Sequence, residues 1–328
     1  MRYTISLFTA SLLCAGATFA APLRVVSDIA PVHSLVAMVS EGASAAPELV
    51  LPQGASAHDF QLRPSQARMI AGADLVIWSG AAMSPWMQQA LKNSTASKLA
   101  LLEAKGTRLR GFAVGDLGAD AHDQHDHAHD HHDHAEAAHD DHHDHDHHGN
   151  DHGPNATDPH AWLNPQNASH WLGVIADTLA AKDPENAALY QENAAKYQTQ
   201  IAALDAELQA DLAPLKQRGF VVFHDAYGYF VDHYGLSNLG ALRASDASAA
   251  GAGRLSALRA MITEGEVVCI FPERGQDEGP VQKMAAEMGL RQGAALDPEG
   301  VGLAAGPALY PALMRQLGAD LSACLAAS

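Results

Sequence analysis

Basic residues are scarce in this chain, and they are missing altogether where its charge is most concentrated. Lys and Arg together number 20 against 38 Asp and Glu, giving 328 residues a formal charge of −18. No basic stripe exists to replace phosphate counterions, which excludes nucleic acid as a partner. From Asp120 to His152 there is no Lys or Arg at all, and ten Asp with one Glu supply −11 of the total. The remaining −7 is ordinary for a soluble protein. Long apolar runs are also lacking. No segment reaches the roughly 18 consecutive apolar residues that a membrane span needs. Cysteine is nearly absent, with only Cys14, Cys269 and Cys324. What is plentiful is apolar side chain, 47% of the chain, enough for a large core and incompatible with disorder of the whole.

The first 20 residues read as a secretory signal. Arg2 provides a positive start, Tyr3 to Leu13 is mostly apolar, and Ala17-Thr18-Phe19-Ala20 offers small residues before a cut. A buried first helix is the alternative. Lipidation at Cys14, as in a surface adhesin, is disfavoured by Leu13, where a small residue would be wanted. Export leaves Cys269 and Cys324 as an even pair in an oxidising compartment. They are read as one disulfide tying the last segment to a strand; two buried thiols are the alternative.

Short apolar runs alternate with helical patterns in two series. The first has strands at Leu23 to Ser27, Glu48 to Leu51, Leu75 to Trp78 and Leu99 to Leu102, with helices at Val32 to Val39, Pro64 to Ala71 and Pro85 to Leu91. The second has strands at Phe220 to Phe223, Leu236 to Ala241, Val267 to Phe271 and Gln292 to Leu296. Its helices are at Ala226 to His233, Leu255 to Thr263, Val281 to Met288 and Ala308 to Cys324. Such alternation indicates βαβ units and parallel sheets. Between the series, Glu185 to Leu212 contains no Gly or Pro, and Tyr197, Ile201, Leu204, Leu208 and Leu212 share one helix face. The fold class is therefore α/β: an N-terminal domain over residues 21–182, a long rigid helix over 183–214, and a C-terminal domain over 215–328. A two-helix insertion within one domain is the alternative reading of the centre.

The most conspicuous segment is a His/Asp-rich tract within residues 120–153. Its fourteen histidines are His122, His125, His127, His129, His131, His132, His134, His139, His142, His143, His145, His147, His148 and His152. No apolar face recurs, so the tract should be a flexible loop. Most of these imidazoles are neutral near pH 7 and able to coordinate. Several ions held weakly is the expectation, with a dispensable solvated insertion as the alternative.

Six histidines lie outside the tract: His33, His58, His160, His170, His224 and His233. His58 stands in the loop Leu51-Pro52-Gln53-Gly54-Ala55-Ser56-Ala57-His58-Asp59-Phe60, after a strand. His160 stands in Asp158-Pro159-His160-Ala161-Trp162-Leu163-Asn164-Pro165. His224 ends an apolar strand in Phe223-His224-Asp225-Ala226-Tyr227-Gly228. The C-terminal edge of a parallel sheet is where ligand sites gather, so these three could converge in a cleft between domains. Asp59, Asp158 and Asp225 are candidates to hold the far nitrogens of those rings. His33 could approach the cleft; His170 and His233 fall in helices and read as structural or exposed.

The stretches L-P-x-G-x-x-x-H-D-F-x-L-R-P-S, D-P-H-x-W-L-x-P and F-H-D-A-Y-x-Y-F resemble those of the solute-binding proteins of ABC-type zinc importers, the ZnuA type within the cluster A-I metal-binding family. The resemblance runs from Leu23 to the C-terminus. It implies a periplasmic, monomeric protein that holds one Zn2+ between two (β/α)-type domains and delivers it to a membrane permease. The ligands it implies are His58, His160, His224 and, late in the second domain, Asp297. A Glu precedes the first His in some zinc members; Ala57 stands there in this chain, which shifts the weight for a fourth ligand to Asp297 or water. Manganese-binding relatives carry a carboxylate where His224 stands, so that residue points to zinc rather than manganese or iron. The tract would then be an auxiliary zinc-collecting segment, with docking of a periplasmic zinc chaperone as a further expectation. A secreted zinc hydrolase is the competing class, disfavoured because no His-Glu-x-x-His helix or serine nucleophile motif is present. The expectation is a non-enzymatic carrier.

Overall fold

A computed structural model describes residues 22–43, 46–58, 60–112, 156–244 and 251–327. The leader with Cys14, Asp59 and the whole His/Asp-rich tract lie outside the described residues. The first half contains β1 (Val25–Ser27), α1 (Ala30–Val39), β2 (Glu48–Leu49), α2 (Pro64–Ala71), β3 (Leu75–Trp78), α3 (Pro85–Leu91) and β4 (Ser97–Ala100). The strands are all parallel in the order β2-β1-β3-β4. Then come α4 (Pro165–Lys182) and α5 (Ala187–Leu212), which pack closely along each other. The second half contains β5 (Gly219–His224), α6 (Gly228–Tyr234), β6 (Ser237–Arg243), α7 (Ala252–Glu264), β7 (Val267–Phe271), α8 (Gly279–Met288), β8 (Arg291–Gln292) and α9 (Leu309–Leu325). Its sheet is again parallel, in the order β6-β5-β7-β8.

Several expected boundaries moved by a few residues, two of them at edge strands. The run Leu99 to Leu102 is strand only up to Ala100. Leu101 and Leu102 leave the sheet in a 3-10 turn that buries both. Strand β4 reaches back instead to Ser97 and Lys98, which the apolar run could not signal because one side of an edge strand faces water. The last strand is likewise confined to Arg291–Gln292, and Leu296 makes only an isolated parallel bridge to Glu273.

At about 1.5 Å per residue, α5 spans roughly 39 Å. Tyr190, Ala194, Tyr197, Ile201, Leu204, Leu208 and Leu212 line its buried face. It packs on α1 in the first half and on α6 and α9 in the second. Helix α9 crosses back to α1, where Ser34 Oγ donates to the Gly306 carbonyl (2.7 Å) and accepts from the Tyr310 N–H (3.0 Å). Trp162 Nε1 donates to the Pro298 carbonyl at 2.9 Å, and Tyr310 OH donates to the Trp162 carbonyl at 3.0 Å. One continuous apolar core consequently runs through both halves. The disulfide Cys269–Cys324 ties β7 to α9. Among the described residues, no helix is long and apolar enough to cross a membrane.

Side-chain alternation decides which way β5 points. Phe220 and Val222 belong to the shared core, while Val221 and Phe223 face α7 and α8 in a separate cluster. By the same period of two, His224 points with Phe220 and Val222, toward the other half of the molecule.

Candidate metal site

Two loops and the end of strand β5 deliver one imidazole each to the boundary between the halves. His58 follows β2 in a loop that Gly54 turns back at φ 84°, a left-handed conformation that glycine adopts without steric cost. Trp86 of α3 fixes this loop by donating its Nε1–H to the Ala57 carbonyl at 2.8 Å. His160 opens a 3-10 turn over Ala161–Leu163, immediately before Asn164 caps α4 by accepting from the Gln166 N–H. His224 ends β5. The three rings are buried, their centroids lie 5.3, 5.8 and 5.4 Å apart, and their candidate ligand atoms all fall within 4.8 Å of one another.

The far nitrogens of two rings are held by buried carboxylates. His160 Nδ1 donates to Asp158 Oδ1 at 2.8 Å, and His224 Nδ1 donates to Glu273 Oε2 at 2.6 Å. Each bond assigns the proton to Nδ1 and leaves the lone pair on Nε2. His58 Nε2 lies 3.2 Å from His160 Nε2, so in this arrangement the proton between them belongs to His58. Coordination through both Nε2 atoms requires that proton to move to His58 Nδ1 or to leave. Two nitrogens on a tetrahedral zinc at 2.0–2.1 Å stand about 3.3 Å apart. The pair is therefore already close to the spacing an ion would demand.

Burial pushes the Asp158 carboxyl up to about 6, against the lowering effects of the His160 N–H and the Arg110 guanidinium. Burial likewise raises the Asp225 carboxyl, with the nearby Asp158 charge adding to it. Tyr227 donates its OH to Glu273 Oε2 at 3.1 Å, and its phenol is raised well above the ordinary value by burial first and by Glu273 second.

The structure thus brings His58, His160 and His224 together. It does not bring Asp297 into that group. The Asp297 carboxylate accepts the N–H groups of Val301 and Gly302, both at 2.8 Å, and lies 3.6 Å from Arg274 Nε. It nevertheless lines a cavity of about 60 Å³ together with Ser56, Glu273 and Glu299. His33 sits in α1 with Nε2 bonded to the Pro47 carbonyl (3.0 Å), His170 bonds the Lys105 carbonyl (3.0 Å), and His233 bonds Asp205 Oδ1 (2.7 Å); all three are structural. The fourteen tract histidines and Asp59 lie outside the described residues.

Glu273 and Arg110 escaped the sequence reading. A signal for Glu273 was available: Cys269, Phe271 and Glu273 continue the period of two past the end of β7, on the face that joins the shared core. Arg110 had none, since it lies in irregular chain 48 residues before its partner Asp158.

Comparison with known proteins adds an independent finding. The family model "Zinc-uptake complex component A periplasmic" (ZnuA) matches residues 25–324. The chain is similar to the high-affinity zinc uptake system protein ZnuA of Paracoccus denitrificans, at 45% identity over 93% of this chain and 92% of that one. It is also similar to the protein of the same name from Brucella abortus, at 36% identity over 99% of both chains. Among solved structures, SBP FpvC of Pseudomonas aeruginosa in complex with Mn2+ superposes with a TM-score of 0.74 at 18% identity, covering 93% of this chain and 99% of that one. Zn(II)-bound AdcA of Streptococcus pneumoniae gives 0.67 at 20% identity, covering 94% of this chain and 59% of that one. At such identities the structural likeness speaks for the fold alone.

Proposed function

The chain belongs to the periplasmic zinc-uptake component family, and from that premise we propose that it captures Zn2+ between its two halves and delivers it to the membrane components of an ABC-type importer. The observation that carries this reading is the convergence of three buried imidazoles, two of them already oriented by carboxylates. Neutral imidazole nitrogen suits zinc, while manganese favours oxygen-rich shells and stands low in the affinity order for nitrogen. His58, His160 and His224 are the proposed ligands. Asp297 is the proposed fourth, reached only if its carboxylate gives up the Val301 and Gly302 N–H groups; water fills the position otherwise. The cargo is bound and released without turnover, which agrees with the family's role as a solute-binding transport component.

The leader over residues 1–20, the periplasmic location it implies, a monomeric state and chaperone docking through the tract belong to the same proposal. So does the division of labour between one tight site and a weak, multi-ion tract. Competitive metal titration of the mature chain, with and without residues 121–153, tests it. One tight zinc equivalent should survive the deletion while the weak ones vanish. Loss of the tight equivalent on deletion would overturn the division. In the same titration Asp297→Ala should weaken zinc binding about tenfold if the carboxylate joins the shell, and parent-like affinity would assign the position to water.

A further inference from the structure

Arg110 lies in irregular chain shortly before residue 113 and belongs to no helix or strand, yet it is wedged between the halves of the molecule. Its Nη1 donates to Asp158 Oδ2 at 2.7 Å, and its Nε donates to Asp232 Oδ2 at 2.9 Å on α6. Its backbone N–H donates to Tyr229 OH at 3.0 Å, and that hydroxyl donates in turn to the Asp158 carbonyl at 3.0 Å. A second, independent observation concerns Gly228, the first residue of α6. A Cβ built there would stand 1.5 Å from Arg110 Nη1 and 2.3 Å from Cζ. The guanidinium thus occupies the space that any other residue at 228 would fill.

We propose that Arg110 is a positioning residue for the ion site, acting through Asp158 on His160, and that residue 228 is glycine because it seats the guanidinium. The inference rests on the reading of His160 as a ligand. Asp158 is fully buried and its two oxygens are divided: Oδ1 takes the His160 backbone N–H and ring Nδ1–H, Oδ2 takes Arg110. The guanidinium is itself held by Asp232 through Nε, so its planar fork bridges two carboxylates and its Nη1 is fixed in direction toward Asp158 Oδ2. With the guanidinium removed, Oδ2 loses its one bond to Arg110, and a buried carboxylate is left without its countercharge and is free to turn away from His160. Because Gly228, Tyr229 and Asp232 come from the second half, the clamp also makes His160's orientation depend on how α6 meets the first half.

The test uses the full mature chain in four forms: parent, Arg110→Met, Arg110→Lys and Gly228→Ala. Zinc affinity is read by competition with a chromophoric chelator, the Co2+-loaded site by its ligand-field absorption, and folding by thermal melting. Arg110→Met and Gly228→Ala should each lose about tenfold or more in zinc affinity and shift the Co2+ bands. Arg110→Lys should fall between them and the parent. Millimolar methylguanidinium should restore Arg110→Met and leave Gly228→Ala unchanged, since there the seat itself is filled. Adding Gly228→Ala to Arg110→Met should cost little more, because both disable one contact. Parent-like affinity in either single variant overturns the clamp. So does a loss that tracks melting alone, with Co2+ bands unshifted and no rescue. A parent chain that fails to bind zinc would instead sink the functional reading on which the clamp depends.

Discussion

Replacing Glu273 by Gln changes the charge beside His224 while keeping the shape and an acceptor oxygen. In the parent, Oε2 accepts the His224 Nδ1–H at 2.6 Å and the Tyr227 hydroxyl at 3.1 Å, in a site only 5% exposed. In the ion-free protein the lost charge weakens one hydrogen bond from the Nδ1–H to a carboxylate. Once Nε2 binds a dication the ring becomes partly cationic, and its Nδ1–H is a far stronger donor. The carboxylate therefore stabilises the bound state more than the free one. A hydrogen bond to a charged group is worth about 1.5–3 kcal/mol against about 1 kcal/mol for a neutral one. The difference of roughly 1–2 kcal/mol translates to a loss of about tenfold in zinc affinity, at the lower end of what such supporting partners cost. Isothermal or chelator-competition titration at fixed pH measures it, with thermal melting of the ion-free form as control. Tyr227→Phe, which removes only the second bond to Glu273, should cost less. If Glu273→Gln binds zinc within a factor of about two of the parent, the argument that this carboxylate selects the tautomer and polarises the ring is wrong.

His224→Glu should lower zinc affinity and narrow the preference for zinc over manganese, because it exchanges a nitrogen donor for oxygen; unchanged selectivity in a paired Zn2+/Mn2+ competition would remove His224 from the shell. Replacing both Cys269 and Cys324 by Ser opens a crosslink between residues 55 apart, which the chain-entropy account values at about 4 kcal/mol. Urea denaturation should read that loss while zinc affinity stays near the parent value, since the bond lies at β7 and α9 and not at the ligands. His33 is held below the ordinary imidazole value of 6.5 by burial, its Pro47 bond opposing. The unfolded chain therefore takes up the proton first, and stability falls as pH drops below about 6.5 until the folded group itself protonates. His33→Gln should flatten the fall in melting temperature between about pH 7 and pH 5; an unchanged slope would refute this assignment.

The α/β class, the two parallel series and the long central helix were legible because each rests on local periodicity. Leu75 to Trp78, Pro64 to Ala71 and Val267 to Phe271 match the observed elements to the residue, since apolar runs bounded by turn residues leave little freedom. The edge strand at Ser97 was misplaced because half its surface meets water and carries no hydrophobic signal. His58, His160 and His224 were legible as candidates because each stands in a loop or at the end of an apolar strand rather than on a helix face.

What the sequence alone determined, then, is which residues are capable of holding an ion and which segments are strand or helix. Whether those imidazoles meet was decided by tertiary structure, through α5 and α9 locking both halves onto one core. The same packing chose Asp158 and Glu273 as the partners of His160 and His224, and set Asp297 on the turn at Val301 and Gly302. Arg110 and Gly228 meet across 118 positions of chain for the same reason. Periodicity is a property of neighbours along the chain, whereas a hydrogen bond across a domain boundary exists only once the chain has closed on itself.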